Sequence, residues 1–251
     1  MKALRKLTWV EIKLFTRDPL SLVFTLALPF FFLIVLNGVF GNEVAVDPVE
    51  DVWRGVGPSE YYVPAYIGLV MAATGVLSMP VRLASYRERG VLRRFRASAM
   101  PLWVILGSQV AIALLTAVVG AVSITVASTL IYGTELLPAD ALLFIPAFVL
   151  AALAFAAVGV LLGSVLPTSR SAQGAGLMLF FMMFLLSGAG PPRDVLTGPM
   201  RGIGNTLPLT WVITLLQDPW LGFGWATTAS LVVVGVLVGS VALSVHFFRW
   251  D

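Results

Sequence analysis

Six long apolar runs cross this chain without one Asp, Glu, Lys or Arg inside them. They are Pro19–Gly41, Val63–Val81, Pro101–Tyr132, Ala141–Leu166, Ser171–Pro192 and Pro219–Phe248. Each reaches or approaches the roughly 20 residues an α-helix needs to cross a hydrocarbon layer about 30 Å thick. The expected architecture is an all-α integral membrane bundle of six transmembrane helices. Hydrophobic residues make up 59% of the 251 positions and charged residues only 12%, about half the charge of a soluble domain. The longest gaps between runs, Asn42–Tyr62 and Arg82–Met100, are too short to build a core. A single membrane domain over residues 1–251 is therefore expected.

The charges are unevenly placed. Assigning alternate loops to opposite sides puts 13 of the 16 basic residues on one side, against four acids, Glu11, Asp18, Glu88 and Asp251. The other side has Arg54, Arg193 and Arg201 against the remaining nine acids. Cytoplasmic loops collect Lys and Arg, so both termini are expected inside, and an even number of spans, which puts them on one side, agrees. The first run is too long for a signal-peptide core and is followed by no A-x-A site, so it reads as a retained helix.

Residues 1–18 precede the first run as an amphipathic helix. Lys6, Lys13 and Arg17 share one face and Leu4, Leu7, Leu14 and Phe15 the opposite one. Such a helix suits the membrane surface, with its bases toward anionic lipid and Trp9 at headgroup level. Glu11 falls near the apolar face, where the wheel gives it no role. Gly159-x-x-x-Gly163 and Gly235-x-x-x-Gly239 carry the small-residue spacing that lets helix backbones approach closely. Gln109, Ala113, Thr116, Gly120, Ser123 and Ala127 form one small or polar stripe on the third run, which serves either packing or a transport path. Met178–Phe184 is a Met and Phe cluster with the same two readings; Met178 and Phe181 are its path candidates. Within residues 191–218 the moderately apolar stretch Ile203–Leu216 is broken by Pro208 and too short to cross, which suggests a re-entrant or interfacial segment.

The chemistry missing from the chain narrows its class. There is no cysteine, and the one histidine, His246, stands at the border of the last run. No G-x-x-x-x-G-K-[ST] loop and no H-E-x-x-H pair occurs. No carboxylate lies within a run, which counts against ion-coupled transport. No catalytic residue and no metal site is expected, and the chain is not expected to be an enzyme. If the bundle moves cargo uphill, its energy is expected from another subunit.

The segment Ser85–Ala99 is where such a subunit would push. Arg89, Arg93 and Arg96 share a helical face; Leu92 and Phe95 lie together on another, with Glu88 beside them. A short helix with apolar knobs and an acid fits a groove on a soluble protein. The alternative is a basic loop resting on lipid, and Gly90 interrupts the wheel in either case.

Six spans, inside termini and the amphipathic N-terminal helix resemble the ABC-2 type permease family, the membrane subunits of ATP-binding-cassette exporters. Tyr86-Arg87-Glu88-Arg89-Gly90-Val91-Leu92 resembles that family's E-R-E-x-G-T-L signature after the second span. It departs from the signature at an acidic position and at Val91, where threonine is common. The proline-interrupted loop Pro191–Pro219 is similar too. The resemblance implies a coupling helix within 82–100, with Arg87, Glu88, Arg89, Gly90, Leu92, Arg93 and Phe95 contacting a separate ATPase. It implies two ATPase subunits, which bind the ATP and magnesium, and two permease copies, identical or different, with the cargo path near their interface. Nothing points to nucleic acid. Short outer loops are similar to those of daunorubicin-resistance-type drug exporters in a bacterial inner membrane. An apolar or amphiphilic small molecule, or a lipid, is the expected cargo, with polysaccharides or lipid-linked glycans as the alternative. An ion-coupled transporter and a non-transporting scaffold remain the competing classes.

Overall fold

The computed structural model describes residues 2–19, 23–40, 52–98 and 101–247, and among these every regular element is helical. In chain order they are α1 (Lys2–Phe15), a π-turn (Val23–Ala27) leading into α2 (Leu28–Phe40), α3 (Pro58–Glu88), α4 (Val91–Ala97), α5 (Leu102–Tyr132) and α6 (Ala141–Val165). Then follow α7 (Ser169–Leu186), α8 (Gly198–Thr206), α9 (Pro208–Trp220) and α10 (Thr227–Phe247). Among the described residues five helices are long and apolar enough to cross a membrane: α3, α5, α6, α7 and α10. The first expected span is shorter, apolar over Thr25–Phe40; the rest of its run and most of the loop after it lie outside the described residues.

Element ends differ from the apolar runs for local reasons. Helix α3 begins at Pro58, whose missing N–H costs nothing at a first helical position, and it continues through Arg82 to Glu88. Helix α7 starts at Ser169 under a capping box between Thr168 and Ser171 and ends at Leu186 rather than Pro192. The last run is split. Pro219 and Trp220 close α9, and the chain turns through Gly222 and Gly224, both at φ +81°, before α10 starts at Thr227.

Helix α3 is the axis of the bundle. It is buried along nearly its whole length, and α2, α5, α6, α7 and α9 pack around it. Its middle, Thr74–Ser78, is a π-turn, with the Met79 N–H reaching the Thr74 carbonyl. Pro80 explains the turn. A helical proline has no N–H for the carbonyls four and five residues back, and its ring crowds them. Here those carbonyls belong to Val76 and Gly75. A Cβ on Gly159 of α6 would stand 2.7 Å from the Gly75 oxygen, and one on Gly176 of α7 would stand 2.2 Å from the Val76 oxygen. Two flanking helices thus approach the freed carbonyls where only glycine fits. Pro29 follows the π-turn of Val23–Ala27 in the same way, and the two turns are joined by a buried Thr25–Ser78 hydroxyl hydrogen bond of 3.0 Å.

The Gly159 and Gly163 spacing is used for close packing, Gly163 against Leu83. Gly235 and Gly239 are not used so; nothing lies within 4 Å of a Cβ added at either. At the end of the bundle that holds the acidic loops, α9 inserts between α3, α6 and α10. The Gln217 amide donates to the Tyr61 carbonyl at 3.1 Å, Arg54 pairs with Asp218 at 2.8 Å, and the Tyr62 hydroxyl donates to the Gly190 carbonyl. The expected re-entrant segment is therefore a helical pair, α8 and α9, whose second helix is part of the core.

Candidate functional site

At the opposite, basic end, three consecutive residues of α3 reach three different elements. The Tyr86 hydroxyl donates to the Glu11 carboxylate of α1 at 2.7 Å. The Arg87 guanidinium donates to the carbonyls of Gly163, Ser164 and Leu166, where α6 ends. The Glu88 carboxylate accepts from the Ser169 hydroxyl at 2.6 Å, where α7 begins. The last four carbonyls of a helix have no partner within it, so Arg87 serves as the cap of α6, with its charge at the negative end of that helix.

The Glu11 contact explains why an acid stands on the apolar side of α1. Glu11 is 1% exposed and sits against a face of α3 that carries Arg82 and Tyr86 one turn apart. Arg82 is buried and acts electrostatically on Glu11, Tyr86 and Asp18. A carboxylate removed from water needs such partners. Helix α1 also rests on α5, with Leu4 against Gly107, so it is docked to the bundle as well as amphipathic.

Helix α3 ends at Arg89, and Gly90 takes φ +66°, a left-handed conformation that glycine adopts without strain. The chain then bends into the short α4, whose Arg94 N–H closes the first turn on the Gly90 carbonyl. The expected coupling helix is therefore two helices hinged at Gly90. Glu88, Arg89, Arg93 and Arg94 are exposed and Phe95 is half-buried. Leu92 is 2% exposed. It is turned into the chain, so it is not an outward knob. The side chains of Arg96 and Phe15, and residues 99–100, lie outside the described residues.

The path candidates do not come together within one chain. Gln109 and Thr116 are buried, and Ser123 is half-buried. Thr116 bonds back to the Ile112 carbonyl at 2.8 Å, and a Cβ on Gly120 would meet Val70 of α3 at 2.6 Å. That stripe packs α5 on α3. Met178 is 70% exposed and Phe181 is also exposed, on an outward face of α7 with Met182 and Leu185. Among the described residues no three His, Asp or Glu side chains gather as a metal site.

The sequence reading of Ser85–Ala99 gives no role to Tyr86, Arg82 or Glu11, which the structure brings together. The one available signal was Glu11 itself, an acid on an apolar helical face.

The sequence profile of the family described as ABC-2 type transporter matches residues 2–219. No curated protein matches the chain.

Proposed function

We propose, from the premise that this chain belongs to the ABC-2 type transporter family, that its basic end receives and distributes the stroke of a separate ATPase. Membership makes the chain the membrane-embedded permease subunit of an ABC transporter, associated with an ATP-binding subunit. The step beyond membership is the division of labour within 82–98. Exposed Arg89, Arg93 and Arg94, with half-buried Phe95, form the face that meets the ATPase, while Tyr86, Arg87 and Glu88 carry its motion inward.

The contact of these three consecutive residues with α1, the end of α6 and the start of α7 carries the reading. Packed helices move as rigid bodies, so a displacement of α4 that turns α3 must shift all three neighbours together. Glycine contacts at Gly159 and Gly176 then pass that shift along α6 and α7 to mid-membrane.

Six spans with both termini in the cytoplasm of a bacterium, a second permease copy and two ATPases complete the proposed assembly. Its cargo path runs between the copies along the outward faces of α2 and α7, where Phe31, Ile34, Met178 and Phe181 are exposed. Helix α9 closes its outer end. Gln109, Thr116 and Ser123 move with α5 beside the path. The apolar character of those faces favours export of an apolar or amphiphilic small molecule or a lipid. A glycan path would favour aromatic platforms with polar rims.

The experiment is co-expression with the ATPase from a neighbouring reading frame, followed by reconstitution. ATP-dependent efflux of an amphiphilic dye, lost on Arg87→Gln, supports the reading. Efflux without any ATPase, or no flux under any condition, overturns it.

A further inference from the structure

We infer that the cleft between α1 and the first turns of α5 binds an anionic phospholipid, whose tail continues into an apolar slot on the next face of α5. The cleft has a volume of about 640 Å³ and is lined by Leu4, Arg5, Lys6, Thr8, Trp9 and Ile12 of α1 and Ala111 of α5. Two of these side chains are cations. Among the described residues neither forms an ion pair.

The slot has a volume of about 290 Å³ and a nearly wholly apolar wall. Leu106 and Val110 of α5, Leu153 and Val160 of α6, and Leu237 and Val241 of α10 contribute to it. Leu106 and Val110 each stand one residue before Gly107 and Ala111, which face α1. Slot and cleft therefore lie at the same depth along α5, about 100° apart around its axis. Trp103, 59% exposed, falls at the angle between them. Trp103 and Trp9 are exposed indoles, a side chain enriched where headgroup and acyl chain meet.

One molecule matches both spaces. A phosphodiester places its one negative charge between Arg5 and Lys6, and an acyl chain fills the slot. A soluble anion would leave the slot empty, and a zwitterionic lipid would leave the cations poorly compensated. Because Glu11 of α1 is bonded to Tyr86 of α3, a lipid in the cleft steadies the helix that meets the coupling segment. Binding itself does not depend on the proposed function, so its test stands apart from transport.

The full chain in phosphatidylcholine nanodiscs with a minor share of phosphatidylglycerol, released for native mass spectrometry, reads lipid retention. Preferential retention of phosphatidylglycerol is expected. Arg5→Gln with Lys6→Gln should lower it about thirty-fold, given roughly a tenth to a fifth remaining per lost cation, while Arg5→Lys with Lys6→Arg keeps it. Val110→Trp should weaken retention of the same lipid by filling the slot. Equal retention of both lipids, no response to the double Gln variant, or displacement by inorganic phosphate would overturn the inference.

Discussion

The Tyr86 hydroxyl donates to the Glu11 carboxylate across 2.7 Å, although the two stand 75 residues apart. The bond joins a surface helix to the end of the most buried helix of the bundle. It gives α1 a fixed position, which lipid anchoring alone would not. On the proposed function, motion of α3 is expected to carry α1 with it.

Tyr86→Phe removes the donor and leaves a buried carboxylate short of a partner. Bonds to charged groups contribute about 1.5–3 kcal/mol, so the variant is expected to lose about 2 kcal/mol of stability. Combined with Glu11→Ala, the loss should fall short of the sum by about 1 kcal/mol. Unfolding of the four proteins in nanodiscs measures this; strict additivity would deny the contact an energetic role.

Glycine substitutions separate packed from unpacked faces. Gly176→Ala places a Cβ 2.2 Å from a backbone oxygen, and Gly75→Ala places one 2.4 Å from the Phe155 oxygen. Neither neighbour can rotate away, so both variants should fold poorly, losing roughly 1–3 kcal/mol or more. Gly235→Ala and Gly239→Ala meet open space and should be neutral or gain up to about 1 kcal/mol of helix propensity. Yield of monodisperse protein and its melting temperature distinguish the two pairs.

Much of this was legible in the sequence. Charge-free runs marked α3, α5, α6, α7 and α10, because length and apolarity alone determine what can cross lipid. Loop charges divided the chain into the two ends seen in the Arg54–Asp218 and Glu88–Ser169 contacts. The wheel failed at Leu92 because it treats Ser85–Ala99 as one straight helix, whereas Gly90 at φ +66° bends it and turns Leu92 inward. Helix α9 reads as a short interfacial piece because periodicity says nothing of Gln217 finding the Tyr61 carbonyl. The Tyr86–Glu11 contact was not legible. Glu11 was conspicuous, but its partners lie far along the chain, and no local pattern connects position 11 to position 86.

Gly90 sets the angle between α3 and α4. A branched side chain at its left-handed conformation costs about 1–2 kcal/mol, so Gly90→Val should straighten or loosen the junction. Asparagine tolerates that conformation, and Gly90→Asn should behave almost as wild type. Cargo moved per ATP hydrolysed, compared between the two variants, checks that the bend is needed.

Separation of docking from transmission is tested most directly by ATPase affinity and coupled efflux measured on the same variants. Arg89→Glu with Arg93→Glu should weaken ATPase binding roughly ten-fold or more through like-charge or lost-charge contacts. Arg87→Gln, which uncaps α6, should leave that affinity unchanged and abolish efflux while ATP is still hydrolysed. Loss of ATPase binding in Arg87→Gln, or full efflux despite it, would contradict the account.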